Sequence, residues 1–142
     1  MGEIRVKVRL ENGVDILLQK KGKKGKKGGK NIRTAEVEAI VDTGAVMMLL
    51  PQDLVDNLGL DIIGKTIVAL ADETKKELDV AKTVVITIAG RQWETDCLVG
   101  PPGCEPLIGQ LILERLDLIL DPLKHTITPR PESPYLPTLK LK

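Results

Sequence analysis

The chain has 142 residues, 42% hydrophobic and 29% charged, with one Trp, one Tyr and no Phe. That is the size and balance of one soluble domain with a core of Leu, Ile and Val, and no run approaches the ~20 apolar residues that a membrane span needs. The net charge of +1 hides an asymmetry: Lys20 to Lys30 carries seven of the 21 basic residues, leaving 14 basic against 20 acidic elsewhere, a net of −6.

The N-terminal "EIRVKVRL" alternates, with Ile4, Val6, Val8 and Leu10 on one face and charges on the other, which predicts a half-buried strand. No signal-peptide h-region precedes it, and the position-six Ser or Thr of a myristoylation signal is missing. "ENG" is a turn signal, and "VDILLQ" reads as a short second strand or as loop. The Lys/Gly run, residues 20–30, is expected to be a mobile loop, because Gly loosens the backbone and Lys repels Lys. "NIRTAEVEAIV" alternates again and delivers Asp42 from a strand end. "VMMLL" reads as a fully buried strand. Pro51 suits a helix start, with Leu54, Val55 and Leu58 inward and Gly59 as the stop.

"KTIVALA" and "ELDV" predict two strands around a polar tip, "DETKK". "KTVVITIAGRQWETDCLV" predicts a second hairpin turning near Gly90. After the loop "GPPGCEP", the stretch "LIGQLILERLDLILDP" starts extended, turns helical near Gly109 and returns to a strand before Pro122. Pro129, Pro131, Pro134 and Pro137 make the tail irregular or extended. Seven to nine short strands with two short helices predict a mostly β chain, a closed or sandwiched antiparallel sheet. The domain is expected over 1–128 and the tail over 129–142.

Cys97 and Cys104 lack C-x-x-C spacing and make no disulfide framework, so a reduced, cytoplasmic chain is the default; a bridge across the Gly-Pro turn is the alternative. With one His and two Cys there is no credible zinc set. His125 reads as a surface strand residue, Trp93 as core or interface, and the Met47-Met48 pair as packing.

Asp42, Thr43 and Gly44 raise the chemical question, because a lone carboxylate between apolar runs costs several kcal/mol to bury. One aspartate is a poor base at neutral pH. Two carboxylates a few ångströms apart share a proton, so one can take a proton from water while the other donates to a carbonyl oxygen. This chain has a single D-T-G, so a two-fold dimer would have to bring Asp42 against its own copy. Thr43 could give a hydroxyl hydrogen bond that pins the loop, and Gly44 could let the backbone turn or approach closely. The plainer reading is a turn aspartate bonding its own backbone. At average usage roughly 2–3% of chains this long contain D-T-G by chance, so its context decides.

That context resembles the retropepsin-like, single-domain aspartic proteases, which include retroviral proteases and many bacterial and archaeal relatives. Ile40 and Val41 precede Asp42, Thr43, Gly44 and Ala45, and an apolar run follows. Val68 to Val80 is similar to the family's flap hairpin. Leu107, Ile108 and Gly109 match its hydrophobic–hydrophobic–Gly motif before a short helix. The resemblance spans roughly Arg33 to Asp121 in the right order. It implies a homodimer acting on a peptide or protein, Asp42 as the catalytic carboxylate supported by Thr43, Gly44 and Ala45, flap contacts from Ala71, Asp72, Glu73 and Thr74, a structural role for Gly109, and no metal or organic cofactor. The tip departs from the pattern, having no glycine where retroviral flaps are glycine-rich. Two other readings stand beside it: a non-catalytic dimer on this scaffold that binds peptides or serves assembly, and a small barrel whose lysines hold an anionic polymer. The lysine run lacks interleaved aromatics for base stacking, which disfavours nucleic acid.

Overall fold

The computed structural model describes residues 3–21, 31–133, 136–137 and 139–141. They contain nine strands: β1 (Ile4–Asn12), β2 (Thr34–Val41), β3 (Leu49–Pro51), β4 (Asp61–Ala69), β5 (Lys75–Ile88), β6 (Arg91–Gly100), β7 (Leu107–Ile108), β8 (Leu118–Asp121) and β9 (Thr126–Pro129). The described residues also hold three short helices: α1 (Gly13–Lys21), α2 (Gln52–Leu58) and α3 (Gln110–Leu116).

The main sheet runs β1-β2-β7-β3-β6-β5-β4, and β5 pairs back onto β1. Six strands therefore close into a barrel, which removes their free edges, while β4 pairs only with β5 and projects from the wall. The wall is not wholly antiparallel: β2 with β7 and β3 with β6 run parallel. β8 and β9 form a separate ribbon. Leu10, Leu50, Leu58, Ile86, Ile88, Ile108, Ile112 and Leu116 fill the core, all essentially buried. Trp93 packs against its edge with the Arg115 guanidinium over its ring.

Several elements differ from the sequence reading. "VDILLQ" is neither strand nor loop but helix α1. The Asn12 side chain accepts the N–H of Asp15 and so caps that helix, while its amide donates to the carbonyl of Leu58. The buried Asp15 carboxylate takes the backbone and guanidinium N–H groups of Arg33, tying α1 to the stretch just before β2. α1 runs through Lys20 to Lys21, so the expected loop does not begin there; its residues 22–30 lie outside the described residues. "VMMLL" is not a buried strand: Val46 is 68% exposed and pairing is confined to β3. "ELDV" and "KTVVITI" are one strand, β5, bent by a bulge between Ala81 and Val84 where Thr83 takes φ 67°. That bulge lets one strand serve both the barrel wall and the β4–β5 hairpin. His125 sits in the exposed turn before β9, with φ 53°. The β5–β6 turn falls at Ala89-Gly90, both at positive φ, the primed geometry that matches strand twist.

The chain past β9 is held down. The buried Arg91 guanidinium donates to the carbonyls of Leu116, Asp117, Arg130 and Ser133. Asp117, the left-handed C-cap of α3, accepts from the Ser133 hydroxyl and the Arg130 guanidinium. Arg91 thus satisfies carbonyls that the helix end would leave bare.

Two outcomes are expected. Arg91→Met, which keeps the apolar stem and strands these carbonyls, lowers unfolding free energy by about 3 kcal/mol in urea titrations. The bond from Ser133, then that from Arg130, holds the Asp117 carboxyl below its ordinary value. Its folded pKa is depressed, so its contribution is present above about pH 4 and is lost as pH falls through the folded pKa. The stability gap between wild type and Asp117→Asn should therefore shrink as pH drops from 6 toward 2.

Candidate active site

Asp42 lies one residue past β2, at the point where the barrel wall opens into a loop. Ile40 and Val41 pair in parallel with Leu107 and Ile108, and the Asp42 N–H donates to the Ile108 carbonyl at 3.0 Å. Leu107 also pairs with Leu49 of β3. The strand β7 is therefore inserted between β2 and β3, and residues 42–48 must arch over the point where β7 becomes α3.

That arch fits because of Gly109. A Cβ there would lie 2.6–2.8 Å from the carbonyl oxygens of Ala45, Val46 and Met47, closer than carbon approaches oxygen without a clash. The same carbonyls serve the helix. Gln110 N–H donates to Ala45 O at 2.7 Å and Leu111 N–H to Val46 O at 3.1 Å. Gly109 is the N-cap and has no side chain to satisfy the free N–H groups of α3, so the Asp42 loop caps the helix with its own backbone. Leu107, Ile108 and Gly109 are thus the seat on which the loop rests.

Within the loop, the Ala45 N–H donates to Asp42 O, and the Gly44 N–H donates to Asp42 Oδ1 at 2.9 Å. The second bond is the local turn bond that the plainer sequence reading anticipated. Gly44 is not in the left-handed region, so its conformational freedom is not what the fold needs; a Cβ there would meet Asp42 Oδ1 at 3.3 Å. The Thr43 hydroxyl has no hydrogen-bond partner among the described residues, and the loop is pinned by backbone groups instead. Asp42, Thr43 and Gly44 are all exposed, so the apolar flanks do not bury the carboxylate inside the single chain. Beside them, Val46 is 68% and Leu111 37% exposed, an apolar rim around an acidic loop.

Ala71, Asp72, Glu73 and Thr74 form the exposed tip of the β4–β5 hairpin, closed by the Leu70 N–H on Thr74 O at 2.8 Å. Glu73 occupies the left-handed position, φ 68°, that a glycine would ordinarily take. The Asp72 carboxylate accepts the Thr74 hydroxyl and N–H, and these bonds hold its carboxyl below the ordinary range. Among the described residues, no hydrogen bond or ion pair joins this tip to the Asp42 loop.

The match that decides the family is to the model described as "gag-polyprotein putative aspartyl protease", over residues 30–115. This chain belongs to that retropepsin-like aspartyl protease family. The matched stretch holds Asp42, the hairpin and Gly109, and no curated protein matches the chain. Its closed barrel is the fold the resemblance implied. No helix of the described residues is long and apolar enough to cross a membrane. Among the same residues, no group of three or more His, Cys, Asp or Glu could hold a metal. Both cysteines are free thiols; burial pushes the Cys97 thiol up to about 12 and raises Cys104, which makes them poor nucleophiles.

Sequence reasoning missed the residues that share a face with Asp42. The paired Arg5, Ile40 and Leu107 project outward on one side, and Glu105 reaches Arg5 from the loop before β7. Strand alternation in "EIRVKVRL" placed Arg5 outside, but nothing local ties residue 5 to residue 105.

Gly109→Ala tests the seat directly. It should cost about 1–3 kcal/mol of stability through overpacking against the three carbonyls, read from denaturant midpoints, while Gly64→Ala, where a Cβ meets nothing within 4 Å and the backbone is not left-handed, costs less.

Proposed function

We propose that the protein is an aspartic endopeptidase that works as a cytoplasmic homodimer. The observation that carries this reading is the exposed Asp42 on a backbone-braced loop, ringed by uncovered Val46 and Leu111, in a chain of an aspartyl protease family with a single D-T-G. A second copy related by a two-fold axis would cover the apolar rim and set the two Asp42 carboxylates face to face, since an isologous interface brings the same residue to the axis twice.

In that arrangement the two carboxylates cannot both ionise easily and hold one proton between them. The ionised oxygen removes a proton from a water as that water attacks the scissile carbonyl carbon. The protonated partner donates to the carbonyl oxygen, giving a neutral tetrahedral diol. Collapse returns a proton to the carboxylates' shared pool and transfers one to the departing amide nitrogen, so the C–N bond breaks without a covalent enzyme intermediate. Thr43, Gly44 and Ala45 hold the loop, and residues 71–74 close over an extended substrate by strand pairing. The Thr43 hydroxyl, without a hydrogen-bond partner among the described residues, would bond across that interface.

Asp42→Asn should keep the dimer and the fold while lowering cleavage of a peptide library by at least ~10³-fold, in line with removal of an essential proton-transfer group. Wild-type dimer that binds peptides but never cleaves them between pH 3 and 8 would instead establish the non-catalytic binding module.

A further inference from the structure

A charged bar crosses an apolar floor next to Asp42. Arg5 stands opposite Ile40 on β1 and β2, and Ile40 stands opposite Leu107 on β2 and β7. Directly paired residues project to the same face, and Asp42, two residues beyond Ile40, continues that side. Ile40 and Leu107 are only half-buried, so they form an apolar floor beside the carboxylate. The Arg5 guanidinium grips both oxygens of Glu105, bridging from β1 to the loop before β7 on either side of Ile40. It also donates to Glu3 at 3.0 Å. Glu3 lies one step beyond the last pair, Ile4 and Val41, and is therefore level with Asp42 along the strands.

This cluster has two carboxylates and one guanidinium. Farther along the same face, Lys7 and Glu38 stand opposite each other and balance. The surplus negative charge is thus local to Asp42. The Arg5 bond keeps the Glu105 carboxyl below its ordinary value, so the charge persists in mildly acidic solution.

Resting on the peptidase reading above, we propose that Glu105, with Glu3 and Arg5, makes the subsite beside Asp42 select a lysine or arginine flanking the scissile bond. The long aliphatic stem of such a side chain lies on Ile40 and Leu107, and its cationic head joins the carboxylate-rich rim in solvent. An aspartate or glutamate at that position meets like charge. Two-fold symmetry gives each protomer one such floor, so both residues flanking the bond experience the same selection.

The test is cleavage-site profiling of the full chain on a peptide library with the flanking positions randomised. Wild type should favour Lys and Arg over Asp and Glu at these positions. Glu105→Gln should lower that kcat/KM ratio about three- to fivefold, the scale of one exposed charge pair, and Glu105→Lys should invert it. Glu105→Asp should restore the wild-type order, and Glu38→Gln should leave it unchanged. Cleavage whose flanking preference is indifferent to Glu105 overturns this inference and leaves the peptidase reading standing. A properly folded dimer that cleaves nothing in the library overturns both.

Discussion

The structure depends on one exchange of backbone hydrogen bonds. Carbonyls of Ala45 and Val46 cap the first N–H groups of α3, and the missing side chain at Gly109 lets them come close enough to do so. A helix start needs partners for its free donors, and an exposed loop needs something rigid to hold it. Here each meets the need of the other. The conformation of the Asp42 loop is consequently coupled to the packing of Ile112, Leu113 and Leu116 in the core.

The other end of α3 is tied as firmly. Arg91 gathers four carbonyls at the point where α3 stops and the chain beyond β9 returns, and Asp117 fastens that return through Ser133 and Arg130. A seven-residue helix has little stability alone. Fixed at both ends, it can transmit barrel rigidity to the loop that carries Asp42. The hairpin formed by β4 and β5 contrasts with this region: β4 has one neighbour, and nearly all its side chains are exposed.

The barrel was legible because its strands alternate and its turns carry Gly, Pro and polar residues. α2 was legible in its inward Leu54, Val55 and Leu58 and its left-handed stop at Gly59, although Pro51 is not in its first turn but is extended, the last residue of β3 and the helix N-cap. α1 was not, because a nine-residue helix with Val14, Leu17 and Leu18 largely exposed has no apolar stripe to read; its cap and its clamp come from Asn12 and Arg33, and only the folded chain shows the latter. "VMMLL" misled because an apolar run says nothing of carbonyls diverted to a helix. At the site, Asp42 and Gly109 were visible as motifs. Their mutual support and the Arg5–Glu105 bar depend on residues 60 to 100 positions apart, which local pattern cannot join.

On the proposed reading the exposed acidic loop and its apolar rim are half of a catalytic site, and that reading stands or falls on the second half. Sedimentation velocity run beside a cleavage assay across a dilution series tests this most directly. The account predicts a two-copy species whose dissociation on dilution lowers activity per chain in parallel. Full activity per chain in a species that sediments as one copy would contradict it.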